Sequence, residues 1–173
     1  MRGEKTLASG SAGEVAAAAA GRGKTERGTL LYALAAVVSL IGLADAIYLT
    51  VEHLAGRSVQ CTVVSGCSEV LGSAYATVGG LPLASIGALA YFITFSCATL
   101  AAFGYSSART LLTLVVALML VVTLWLLYVQ AFVLHAFCAY CLLSAAVTLS
   151  LAGIVAAARF ARAGRSPIGV DKE

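Results

Sequence analysis

Charge is what this sequence has least of. Of 173 residues only 11% are Asp, Glu, Lys or Arg, against about 25% in an ordinary soluble domain. A water-exposed globular surface is therefore excluded, and with 61% hydrophobic residues the chain is a membrane protein. No acidic or basic block is long enough to grip a nucleic acid. No cleavable leader is expected either. The run Val15-Ala16-Ala17-Ala18-Ala19-Ala20 is too short and too weakly apolar for one, so the first membrane helix should serve as the insertion signal.

What the sequence does have is four apolar runs, at about residues 29–51, 81–103, 110–134 and 138–160. Each reaches the roughly 20 residues that cross a bilayer core of about 30 Å. The fold class is therefore all-α, with four transmembrane helices and an extracytoplasmic loop between helices 1 and 2. The only break between the last two runs is His135-Ala136-Phe137, which forces those helices into an antiparallel hairpin. Residues 1–28, polar and rich in Gly, Ala and Ser, are expected to be a disordered cytoplasmic tail. Residues 29–160 are expected to form the membrane domain and residues 161–173 a second cytoplasmic tail.

Basic residues set the orientation. Arg2, Lys5, Arg22, Lys24 and Arg27 precede the first run, Arg109 lies in the second link, and Arg159, Arg162, Arg165 and Lys172 lie at the C-terminal end. An even number of spans puts them all on one side, while the long first loop carries only Arg57. Both termini should face the cytoplasm of an inner, cytoplasmic membrane. The first loop then faces the periplasm or cell exterior, where disulfides persist.

Five cysteines remain to be placed. Cys138-Ala139-Tyr140-Cys141 opens the last apolar run, on the first turn of a helix, where the dipole favours a thiolate. Cys61 and Cys67 lie in the outward loop, at the same membrane face. Cys97 lies deep in the second run and suits inert packing. Two pairs at one face suit a relay, because a thiolate attacking a disulfide passes electrons without a metal. Two static disulfides stapling a loop, or a four-Cys zinc site, are the competing readings. The five-residue gap of the loop pair fits zinc spacing poorly, and no metal is expected.

The order Cys61-x₅-Cys67, Ser73, Gly80-Leu81-Pro82, Ser85-Ile86-Gly87-Ala88-Leu89-Ala90-Tyr91 and Cys138-Ala139-Tyr140-Cys141 resembles the vitamin K epoxide reductase family. The resemblance implies a four-helix bundle around a quinone, ubiquinone or menaquinone, with the loop over its mouth. It implies that Cys141 contacts the quinone, that Cys138 exchanges with the loop pair, and that Ser73 lies near the active site. Within the loop, Cys61 is expected to pass electrons to Cys138 while Cys67 meets the partner. Vertebrate members have an asparagine where Leu83 stands and a tyrosine where Ala145 stands. Both departures favour the bacterial, disulfide-forming branch over epoxide reduction. Some bacterial relatives carry a fused thioredoxin-like domain; here the partner is expected to be a separate thioredoxin-fold oxidase of the cell envelope.

Other residues invite chemistry less strongly. Asp45, inside helix 1, is a functional candidate because intramembrane carboxylates are costly, or else it reaches interfacial water. Tyr48, Glu52 and His53 suit the outer interface. Gln130 and His135 precede Cys138 closely, and His135 is a candidate for steadying a thiolate or a quinone carbonyl. Trp125, Tyr128 and Phe132 recur at helical spacing, as packing or lipid-facing residues do, and Trp125 and Tyr128 are candidates for walling the quinone. Gly87 should permit close helix approach. Two further readings stay open: a reductase of vitamin K quinone or its epoxide, and a non-enzymatic membrane scaffold.

Overall fold

A computed structural model describes residues 4–56 and 66–163. Helix α1 covers Glu4–Leu54, α2 Cys67–Leu71, α3 Leu83–Ala102, α4 Ser106–Tyr128 and α5 Ala139–Ala163. Among the described residues, four stretches are long and apolar enough to cross a membrane: Gly28–Leu54, Leu83–Ala102, Ser106–Val133 and Ala139–Arg162. The protein is a multi-pass helical membrane protein. Helix α1 packs on α3 and α5, and α4 packs on the same two, which closes a four-helix bundle.

Lipid is as apolar as leucine, so these helices gain little by burying large side chains and associate through close packing. The core is accordingly built from small residues. Ala35, Ala36 and Ala46 of α1 cluster with Cys97, Ala98 and Ala101 of α3, Ser39 is buried as well, and Leu112, Val116, Leu151 and Val155 fill the rest. Leucines and phenylalanines such as Leu30, Leu114 and Phe160 point outward. Hydroxyls inside the spans donate to carbonyls one turn back, as Thr94 does to Ala90 at 2.8 Å and Thr99 to Phe95 at 2.9 Å, which satisfies those donors within the helix. Cys97 is a buried free thiol in this core.

The tightest helix approach is at Gly42 rather than Gly87. A Cβ on Gly42 would overlap the Tyr91 ring, whereas one on Gly87 would meet only the Ala46 methyl, at 4.0 Å. Tyr91 cannot withdraw, because its hydroxyl is bonded to the Ser144 carbonyl at 3.0 Å, to the Ser144 hydroxyl at 2.8 Å and to Thr148 at 3.0 Å. Gly42→Ala should therefore cost about 1–3 kcal/mol of stability, the usual penalty of overpacking, and Gly87→Ala much less. Thermal unfolding in detergent compares the two.

Two boundaries differ from expectation. Residues 4–28, expected to be disordered, continue α1. Extending a helix already nucleated by the membrane span needs no new nucleus, and the Ala16–Ala20 run has the highest helix propensity. Helix α4 also starts four residues before position 110, so Arg109 sits in its first turn instead of a loop. Its guanidinium finds the Ala101 carbonyl at 3.5 Å and the face of the Tyr32 ring at 5.7 Å, which lets the charge sit at the end of a span.

The loop after α1 folds back over one end of the bundle. After α2 comes a 3₁₀ turn at Ala74–Ala76, then strands β1 (Thr77–Val78) and β2 (Leu81–Pro82) in antiparallel register, Thr77 opposite Pro82 and Val78 opposite Leu81. Gly79 and Gly80 both have positive φ, at 59° and 84°, as a two-residue hairpin turn that matches strand twist requires. Pro82 then leads directly into α3.

Candidate active site

Helix α5 begins at the hinge that follows α4. Residues Val129–Val133 form a π turn, with the Leu134 N–H reaching back to the Val129 carbonyl at 2.9 Å; such wide turns are frequent at functional sites. The turn buries Gln130, 3% exposed. Its Oε1 accepts the backbone N–H of Cys138 at 3.1 Å. The Cys138 carbonyl accepts the Leu142 N–H at 3.0 Å, so Cys138 is the capping residue of α5, its thiol beside the unpaired N–H groups of the first turn.

That placement has an electrostatic consequence. A hydrogen bond from the Cys141 thiol, then the N–H groups of Cys141 and Tyr140, bring the Cys138 thiol down from 9.0 to about 7, against the opposing effect of burial. Below about pH 7 the thiol is protonated and loses nucleophilicity; above it the thiolate predominates and the rate levels off. Thiolate ultraviolet absorbance should titrate with a midpoint near the value just given, and Cys141→Ala should move it up toward the ordinary cysteine range.

The loop brings a second sulfur to this point. Cys67 is disulfide-bonded, whereas Cys97, Cys138 and Cys141 are free thiols. The Cys67 and Cys138 sulfurs lie 3.4 Å apart, both shut off from solvent. Around them pack Val70, Ala136, Leu134 and Tyr140, and the ring of Tyr48 on α1 lies 5.3 Å from that of Tyr140. Gly66, which caps α2, makes the contact possible. A Cβ there would come within 2.8 Å of both the N and the O of Phe137, so the loop backbone rests directly on the hinge.

Beneath the sulfurs is a cavity of about 270 Å³. Its wall is overwhelmingly apolar, and Cys141 is in it while Cys138 is not. Ser73 also lines it, with its hydroxyl given to the Val70 carbonyl at 2.7 Å. Leu83 and Ala145, the two positions where vertebrate relatives have polar residues, are both in the wall. Among the polar atoms, Oδ2 of Asp45 has no hydrogen-bond partner. The volume falls just below the roughly 300–1,000 Å³ of drug-sized ligand sites. An apolar slot of that size with a free polar group suits a small flat ring system carrying oxygens, which a quinone head is.

Placement of the expected site residues is uneven. Cys67, Cys138, Cys141 and Ser73 converge, and Cys61 lies outside the described residues. Contact with Cys138, expected of Cys61, is made by Cys67; nothing in a C-x₅-C spacing tells which sulfur the docked loop turns inward. Trp125 and Tyr128 do not line the cavity. They stack on each other at 6.0 Å, and Tyr128 on Phe132 at 5.0 Å, on the exposed side of α4. The inward stripe of α4 runs through Val122, Leu126 and Gln130 instead, so a residue at 125 or 128 falls on the lipid side. His135 is exposed and outside the cavity. Its φ of 50° is the left-handed bend that turns the chain from the π turn into α5. Gln130 and Gly66 are the residues whose roles went unassigned. Both carry a sequence signal: a lone amide in a long apolar run, and a glycine beside a loop cysteine.

A family comparison agrees with this geometry. The model of the vitamin K epoxide reductase family matches residues 33–156, from near the start of the first span in α1 through most of α5. The chain belongs to that family. No curated protein matches it. Members are membrane thiol–disulfide oxidoreductases that use quinones, and the facing sulfurs with a cavity below them are the parts such chemistry needs.

Proposed function

We propose that the chain is a thiol:quinone oxidoreductase that reoxidises a separate thioredoxin-fold oxidase outside the cytoplasm and so supports disulfide formation. The observation that carries this reading is the 3.4 Å contact between a disulfide sulfur, Cys67, and a free thiol, Cys138. Two sulfurs at contact distance exchange a bond with little movement of either chain segment.

The partner's dithiol reduces the loop disulfide. The Cys67 thiolate then attacks Cys138 of a Cys138–Cys141 disulfide, and Cys141 leaves as thiolate. The second loop thiol, expected at Cys61, displaces Cys138 from Cys67. The loop is now oxidised, with Cys138 and Cys141 as thiols, which is the pattern of bonded Cys67 and free Cys138 and Cys141 described above. Cys141, in the cavity wall, completes the cycle by closing its bond to Cys138 as the electron pair leaves. A quinone bound there, ubiquinone or menaquinone, takes up two electrons and two protons. Throughout, Gln130 holds the Cys138 backbone and the first turn of α5 holds its thiolate.

Orientation rests on the basic residues at the end of the bundle away from the sulfurs, which favour a cytoplasmic location for both termini. Against epoxide reduction stand Leu83 and Ala145, which offer an epoxide oxygen no donor. The test uses purified protein in vesicles with a reduced thioredoxin-fold oxidase, and supplies ubiquinone, menaquinone or vitamin K epoxide separately. A quinone should be consumed and the epoxide left intact. Epoxide turnover at a comparable rate would move the assignment to the vertebrate-type reaction. Disulfides that ignore the quinone supply would leave only a scaffold.

A further inference from the structure

The thiol relay leaves Asp45 without a task, and its position is expensive. It lies in the first span, only 8% exposed, and one carboxyl oxygen makes no hydrogen bond. A carboxyl group in a bilayer span is costly to keep and is rare outside ion, proton and ligand paths. Asp45 lines the same cavity as Cys141, and it is near enough for its charge to act on Cys138.

Other groups in the cavity that could carry a proton are few. They are His53 on α1, Tyr75 in the loop, Tyr91 on α3 and Cys141 on α5; among the described residues α4 contributes none. The Tyr91 hydroxyl is already engaged with Ser144 and Thr148. Asp45 alone pairs burial with an unused oxygen.

Resting on the thiol:quinone reading, we propose that Asp45 is the proton-transfer residue of acceptor reduction. In its protonated form it gives its proton to one ring oxygen, the Cys141 thiol gives its own to the other, and the proton that the Cys138 thiol releases on ionising restores the carboxyl group. The account balances. Two thiols lose two electrons and two protons on closing to a disulfide, a quinone becomes a hydroquinone, and Asp45 ends as it began.

The test compares wild type with Asp45→Asn, which keeps size and hydrogen bonding but holds no transferable proton, and with Asp45→Glu, which restores one. Asp45→Asn should lower kcat by about 10²-fold, the lower end of what a general acid supplies, with KM within about twofold, and Asp45→Glu should recover most of the loss. Infrared difference spectra of wild type, taken as a non-reducible quinone analogue binds, should show a protonated-carboxyl C=O band that Asp45→Asn lacks. Dithiol reduction of the loop disulfide, unchanged in the variants, reports an intact fold. A higher KM at unchanged kcat would reduce Asp45 to a hydrogen-bond anchor and overturn the proposal, as would a carboxyl band that survives in Asp45→Asn. Wild-type protein that reduces no quinone would instead sink the reading on which this one rests.

Discussion

Cys141→Ser should leave Cys67 and Cys138 joined to each other. Serine fits the same space but forms no disulfide, so it removes the group that normally takes Cys138 back. Cys138, still beside the N–H groups of the first turn of α5, then has one electrophile in reach, the bonded Cys67 sulfur at 3.4 Å. Its thiolate attacks there and expels the other loop sulfur; that sulfur can displace Cys138 again, so the crosslink is trapped by alkylating the loop thiol as it is freed. Acceptor reduction should fall by about 10³-fold or more, as loss of a nucleophile does in other enzymes. Mass spectrometry of unreduced peptides should find the Cys67–Cys138 crosslink as the main species. A crosslink from Cys138 to Cys61 instead would mean that the other loop sulfur carries the transfer. Cys97→Ser, buried in the α1–α3 packing, should show neither effect.

Hydropathy locates the four spans because a bilayer demands about 20 apolar residues at a time, and sequence contains that demand directly. The CxxC at the start of α5 was legible for a similar reason: a helix start follows from the short His135–Phe137 link, and a helix start favours a thiolate. What sequence does not encode is the side of approach. Trp125, Tyr128 and Gln130 lie within six residues of one another, yet only Gln130 faces inward, because it continues the Val122–Leu126 stripe at four-residue spacing while 125 and 128 fall on the opposite face, and sequence alone does not say which face meets the bundle. Cys61 and Cys67 are alike in spacing arguments, and only the docked loop distinguishes the sulfur against Cys138. Asp45 was visible as a costly residue, but its free oxygen in the quinone-sized cavity depends on three other helices and the loop.

Loop docking is the step most exposed to a single methyl group, and Gly66→Ala should break it. The added Cβ would stand 2.8 Å from two backbone atoms of Phe137 and 3.0 Å from the Ala136 side chain. Backbone at a hinge cannot rotate out of the way as a flexible side chain does, so the loop has to lift. Even about 1 Å of misplacement can cost roughly 10²-fold in rate, and sulfur exchange needs the two atoms at contact. Electron transfer from the loop to Cys138 should slow by about that factor. Quinone reduction driven by a small dithiol acting directly on the Cys138–Cys141 disulfide should be spared, because nothing at Gly66 touches Cys141 or the cavity floor. Rapid-mixing measurement of both routes in one preparation separates them. If Gly66→Ala transfers through the loop at the wild-type rate, the loop docks another way and the 3.4 Å contact is not the path electrons take. If both routes fail together, the hinge itself has moved, and the capping position of Cys138 depends on the loop as much as on Gln130.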